Sequence, residues 1–122
     1  MLLVDTSVWI DHFRKEDANL LHHLRNWNVL VHPFVLGELA LGHFRQRILV
    51  LDRLRGLQKI TVSPDEEVVQ LIEDQSFYGL GIGYVDVHLL AAARMLPGTL
   101  VWTRDKRLAA AASKLQLNAN LP

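Results

Sequence analysis

An α/β domain with a mainly parallel sheet, covered on both faces, follows from two features of the sequence. The strand candidates Leu2-Leu3-Val4, Val29-Leu30-Val31 and Leu100-Val101-Trp102 are continuous apolar runs, as strands buried on both faces are, rather than alternating ones. Between them lie long stretches with apolar residues at helical spacing, which a chain needs if it is to return for a parallel pairing. At 122 residues, the sequence predicts a single domain over 1–122 with one core.

Each element has its own justification. Leu2-Leu3-Val4 is closed by Asp5-Thr6-Ser7, which can cap a helix running to about Phe13. Leu20, Leu21, Leu24 and Trp27 predict a second helix over Ala18 to Trp27, ahead of the second strand. Pro33 suits a first helical turn. The helix it opens, Phe34 to Leu41, is apolar on nearly every face, with Glu38 its only charge. Phe44 to Leu57 reads as an amphipathic helix with Ile48, Leu49, Leu51, Leu54 and Leu57 inward, and Ile60-Thr61-Val62 as a brief strand. Ser63 with Glu66 has the form of a capping box for a helix ending near Gln75. A glycine-broken loop, Tyr78 to Tyr84, leads into the apolar helix that carries Asp86. Lys106 to Leu115 predicts an alanine-rich helix after the strand at Leu100, and Leu117 to Leu121 a short edge strand.

Composition removes several classes of function. Hydrophobic residues are 50% and charged residues 21%, as in a globular chain. The 13 basic and 13 acidic residues cancel, so a polyanion would have to be held by local patches. Without cysteine there are no disulfides, thiolate metal sites or thiol nucleophiles. The start meets Asp5 at once, unlike a signal peptide, and no apolar run approaches a membrane span, so the expected location is the cytoplasm and no membrane is expected as a partner.

Four acids hold the chemical interest. Taken singly, Asp5 and Asp105 each follow a strand and precede a helix, where a cap is the ordinary role, worth about 1 kcal/mol. Asp86 opens an apolar helix, where the dipole favours a negative charge. Glu38, set in a helix that reads as buried, calls for a cation or strong donor beside it. Taken together, these positions fall where α/β sheets place their sites, at the carboxyl ends of the strands. Carboxylates converging there repel one another unless a divalent cation is bound, and oxygen-only ligands suit Mg²⁺ or Mn²⁺. Such an ion serves phosphodiester hydrolysis by activating water and neutralising phosphate charge.

The motifs around these acids resemble those of PIN domains. Leu3-Val4-Asp5-Thr6-Ser7-Val8-Trp9-Ile10-Asp11 is similar to the opening motif, and Pro33-Phe34-Val35-Leu36-Gly37-Glu38-Leu39-Ala40 to the second. Gly83-Tyr84-Val85-Asp86-Val87-His88-Leu89-Leu90-Ala91-Ala92 is similar to the third, and Trp102-Thr103-Arg104-Asp105-Lys106-Arg107-Leu108 to the fourth. Their order and the chain's length resemble the VapC-type toxins of bacterial toxin–antitoxin pairs. The resemblance implies a three-layer α/β/α sandwich with a mainly parallel sheet of four to five strands. It also implies Mg²⁺- or Mn²⁺-dependent endoribonuclease activity on an RNA substrate, neutralisation by a VapB-like antitoxin, and a homodimer. Carried over by motif, Asp5, Glu38, Asp86 and Asp105 form the catalytic and metal-binding site.

Around that site, Ser7 and Thr103 are placed to hydrogen-bond the carboxylates, against the alternative of plain turn and cap chemistry. Arg104, Lys106 and Arg107 are candidates for RNA phosphates, against the alternative of solvated surface charge. His32 and His43 read as surface or capping residues, His88 as structural or interfacial, and the tryptophans as packing. Three rival readings remain: a phospho-receiver, an RNA-processing PIN nuclease without antitoxin, and a non-catalytic PIN-like binding module. The first would need paired acids after the first strand and a lysine after a late one, yet Asp5 lacks an acidic neighbour and Thr103 follows Trp102.

Overall fold

Three short apolar segments build the sheet in the computed structural model, which describes residues 1–122. They are β1 (Leu2–Val4), β2 (Val29–Leu30) and β3 (Leu100–Trp102), all parallel, in the order β2-β1-β3. The register pairs Leu3 with Leu30 on one side and with Val101 on the other. Successive strand residues point to opposite faces, and all three residues of β1 are buried. Both faces of the central strand are therefore covered, as the continuous apolar runs require.

The helices are α1 (Thr6–Arg14), α2 (Ala18–Arg25), α3 (Pro33–Ala40), α4 (Arg47–Arg55), α5 (Asp65–Gln75), α6 (Tyr84–Met95) and α7 (Lys106–Lys114). One group packs α1 and α4 against α3; the other packs α5 and α7 against α6, with α6 and α7 both against β3. Their starts are written in the sequence. Asp17 caps α2 by accepting from the Leu20 N–H at 3.0 Å, and the His32 Nδ1 caps α3 by accepting from Phe34 N–H at 3.0 Å, with Pro33 in the first turn. No helix is long and apolar enough to cross a membrane.

The sheet is narrower than the expected four to five strands. Ile60-Thr61-Val62 forms no strand, the only pairing there being a single bridge of the preceding Lys59 to Val31, and Leu117 to Leu121 gives a single bridge of Asn118 to Val101, one at each edge. The reasons are local. Pro64 soon ends any extension beside β2, and Gln116 (φ 59°) and Asn120 (φ 56°) bend the chain on either side of the second bridge.

Helix ends and inward faces also differ from the sequence reading. The second helix stops at Arg25; Trp27 takes φ 54° and is 81% exposed, unlike the buried Trp9 and Trp102. The fourth helix is shorter than Phe44 to Leu57. It buries Leu51 and Leu54 but leaves Ile48 and Leu49 exposed, while Phe44 stacks on Phe13 at 4.6 Å. Ser63 is buried without capping α5, so the expected capping box does not form; Asp65, Glu66 and Glu67 instead face the positive end of the helix dipole.

Leu3 sits at the centre of the sheet with no exposed surface. Leu3→Ala should lower the unfolding free energy by about 2–5 kcal/mol, measured as a drop in the urea midpoint without a change in slope.

Candidate active site

All four acids stand at or beside the carboxyl edge of the sheet. Asp5 directly follows β1 and caps α1, while Asp105 follows β3 and caps α7. Asp86 lies in the first turn of α6, and Glu38 on the second turn of α3. The ends of β1 and β3 are joined by the Asp5 N–H donating to the Trp102 carbonyl at 2.9 Å.

Asp5 is the best held. Its Oδ2 accepts from Ser7 Oγ at 2.7 Å and from Thr103 Oγ1 at 2.8 Å, and more weakly from the Ser7 N–H at 3.4 Å. The two hydroxyls are themselves tied in: the Arg104 N–H donates to Ser7 Oγ at 3.0 Å, and the Asp105 N–H to Thr103 Oγ1 at 3.0 Å. Ser7 and Thr103 thus hold Asp5, and through Thr103 the same net reaches the backbone of Asp105.

The other three follow one pattern. Glu38 Oε1 accepts from Thr6 Oγ1 at 3.0 Å, and Asp86 Oδ2 from the Gly83 N–H at 3.3 Å. Asp105 Oδ1 accepts from the N–H groups of Arg107 at 2.9 Å and Leu108 at 3.0 Å. In every one of the four carboxylates a single oxygen takes all the donors, and the second oxygen receives none from the protein. No lysine, arginine or histidine forms an ion pair with any of them.

Their proximity is expressed in Asp86. Burial, and then the negative charges of Asp5, Asp105 and Glu38, push its carboxyl up to about 6, against the opposing pull of the Gly83 N–H. The residues fit a hard divalent cation in donor type, in charge and in their free oxygens. As the side chains stand, no three of them close around a common point tightly enough to ligate one ion.

Several expectations need correction. Glu38 is exposed rather than buried, because α3 also turns Phe34, Gly37 and Leu41 outward. Arg104 is not available to a phosphate: its guanidinium pairs with Asp11 at 2.8 Å and with Asp17, also reaches the Pro122 carbonyl, and lies over Trp102. Lys106 and Arg107 have no acidic partner. Of its two expected roles His32 takes the cap, not the surface, and it is fully buried. Burial and the neighbouring His88 lower it to about 4, so it caps α3 as a neutral ring. Thr6, the donor to Glu38, escaped the sequence reading; its one signal was its place beside Asp5. The apolar groove between α1, α2 and α4, about 400 Å³ and lined by Trp9, Phe13, Leu24 and Leu57, includes none of the four acids.

A parallel α/β domain with four acids gathered along its carboxyl edge is the arrangement of a PIN domain, and the PIN domain family pattern matches residues 2–114. The chain belongs to the PIN-domain family. It is 45% identical over 114 residues to Ribonuclease VapC32 of Mycobacterium tuberculosis, in strain CDC 1551 / Oshkosh and in strain H37Rv, with 93% of this chain and 92% of the relative covered. The crystal structure of PAE2754 from Pyrobaculum aerophilum shares the fold, with a TM-score of 0.59 and 18% identity over 89% of this chain and 82% of that one.

The raised carboxyl of Asp86 has a defined effect on stability. Its folded value lies above the usual 3.9 of an unfolded chain, so the folded state holds the proton more tightly, and stability is lost as pH rises from about 4 through about 6. In EDTA, Asp86→Asn should therefore stabilise the protein at pH 8, by about 1 kcal/mol once solvent screening of a half-buried group is counted. At pH 4 the two proteins should melt together. Thermal melts at the two pH values test this, and equal gains at both would locate the repulsion elsewhere.

Proposed function

We infer that this chain is a divalent-metal-dependent endoribonuclease of the VapC toxin type, neutralised by a cognate VapB-like antitoxin. The observation that carries the reading is the set of four carboxylates, each anchored by one oxygen, each with the other free, and none paired with a cation. Structural caps would need no such shared edge. The 45% identity to Ribonuclease VapC32 supports RNA as the substrate class and, through the VapC name, a VapB-like antitoxin as the partner. A single domain over 1–122, a homodimer and a cytoplasmic location complete the proposal.

Asp5, Glu38, Asp86 and Asp105 would hold Mg²⁺ or Mn²⁺. Bound there, the ion would lower the pKa of a coordinated water and offset charge on the phosphate. Hydrolysis forms one bond from the water oxygen to phosphorus and breaks one phosphorus–ester bond, the departing oxygen taking a proton. The protein's own share is positional. Ser7 and Thr103 fix the Asp5 rotamer, Thr6 aims Glu38, and the Gly83 N–H aims Asp86. The positive end of α7 and the unpaired Lys106 and Arg107 favour the approach of a phosphate to a site that otherwise repels it.

Asp5→Asn keeps size and hydrogen bonding but removes charge. It should abolish metal-dependent cleavage of bacterial RNA, a larger loss than the roughly 10- to 100-fold expected of supporting residues. Thr103→Val should fall within that supporting range and raise the Mg²⁺ concentration needed for half-maximal rate. The assay is gel analysis of total RNA with Mg²⁺, Mn²⁺ or EDTA. Folded wild-type protein that cuts nothing under any divalent ion would overturn the reading and leave Asp5 and Asp105 as plain helix caps.

A further inference from the structure

A second concave feature begins beside Asp105 and is not used by the four acids. The loop before α6 and the outer face of α7 enclose a groove of about 300 Å³, at the lower end of the range that small-ligand sites occupy, about 300–1,000 Å³. Phe77, Leu80 and Ile82 form its loop wall and Ala110 its helix wall, with Arg107 and Lys114 also lining it. On α7, Arg107, Ala110 and Lys114 follow the spacing of a single helix face. Seven residues of rise separate the two cations by about 10 Å along the axis.

Both cations lack an acidic partner. Lys114 Nζ donates to the Gln75 carbonyl at 2.7 Å and stands 5.6 Å from the Phe77 ring centre. The Arg107 guanidinium lies directly against Gly81. A Cβ there would meet Nη1 at 2.7 Å, Cζ at 3.0 Å and Nε at 3.3 Å, contacts that a flexible guanidinium can yield to, so it is the φ of +77° that favours glycine. The Arg107 N–H donates to Asp105 Oδ1 at 2.9 Å, which puts this end of the groove next to the acid edge.

The geometry points to a subsite for one unpaired nucleobase of single-stranded RNA, seated between the loop and α7, with Arg107 and Lys114 on the flanking phosphates. The assignment rests on the ribonuclease reading above and adds where the strand lies. The acid edge repels a polyanion, so a strand entering it needs cations nearby, and Arg104 is spent on Asp11 and Asp17. Apolar walls suit the sequence-tolerant contacts that hold the bases of single strands. A duplex keeps its bases stacked inward and paired, so a slot that takes a base selects loops and unpaired ends.

The test is binding of a fluorescein-labelled, unstructured RNA oligonucleotide to the purified chain in EDTA, so that no strand is cut, over a range of salt. Ala110 is exposed on α7, so Ala110→Leu fills the groove at little risk to folding. It should weaken binding about tenfold without changing the salt dependence. Leu80→Glu, from the exposed loop side, should weaken it by at least as much. Arg107→Ala and Lys114→Ala should each reduce the slope of log K against log salt by about 0.7, the loss of one single-strand phosphate contact. Wild-type affinity in both Ala110→Leu and Leu80→Glu would overturn the subsite, as would loss of binding to a protein antitoxin with RNA affinity intact. Cleavage by the wild type is scored separately with Mg²⁺. A groove that governs RNA binding in a protein that never cuts would uphold the subsite and sink the nuclease reading.

Discussion

The structure depends on a crowd of like charges held in place by neutral donors. Hydroxyls and backbone N–H groups fix four carboxylates without cancelling any of their charge. An arginine in the same place would have stabilised the apo protein and occupied the oxygens a cation needs. The helix ends supply partial compensation. Asp5 and Asp105 cap α1 and α7, and Asp86 faces the first turn of α6, where the dipole favours a negative charge. Glu38, on the second turn of its helix, lacks that support, and both it and Asp105 are exposed to solvent. Burial, and after it the charge that remains uncompensated, raises the carboxyl of Asp86.

That edge is held together across long separations in the chain. Thr103 and Asp5 are 98 residues apart, yet their hydrogen bond fastens the turn after β3 to the turn after β1. Arg104 extends the fastening outward, since its guanidinium bridges Asp11 on α1 and Asp17 at the cap of α2. Exposed ion pairs contribute little singly, but one arginine engaging two carboxylates and the face of Trp102 is a more defined link than either pair alone. The narrow three-stranded sheet sets few constraints of its own, so these side-chain ties do much of the positioning that a wider sheet would do by backbone pairing.

Much of this was legible in the sequence, and the remainder has physical causes. The three sheet strands were readable as short continuous apolar runs, and the caps at Asp5 and Asp105 because Asp acts locally. The strands expected at Ile60-Thr61-Val62 and Leu117 to Leu121 and the capping box at Ser63, by contrast, did not form. Depth was not readable. Trp27, Ile48 and Glu38 sit in patterns that look buried, but whether a face is covered depends on which element packs there, and neither periodicity nor propensity reports it. The role of Arg104 was hidden for a related reason. Beside Lys106 and Arg107 it reads as part of a basic cluster, and the acids that claim it lie 93 and 87 residues away.

The net charge of zero and the acidic edge bear on each other. A protein that handles a polyanion with an evenly balanced surface gains little from long-range attraction, so its contacts with phosphate must be few and local. Affinity then has to come from apolar and stacking contacts, which are indifferent to salt and sensitive to whether bases are unpaired. Duplex RNA, its bases stacked inward, offers only its backbone to such a surface. On the ribonuclease reading proposed above, the balanced charge fits a reliance on few, local phosphate contacts.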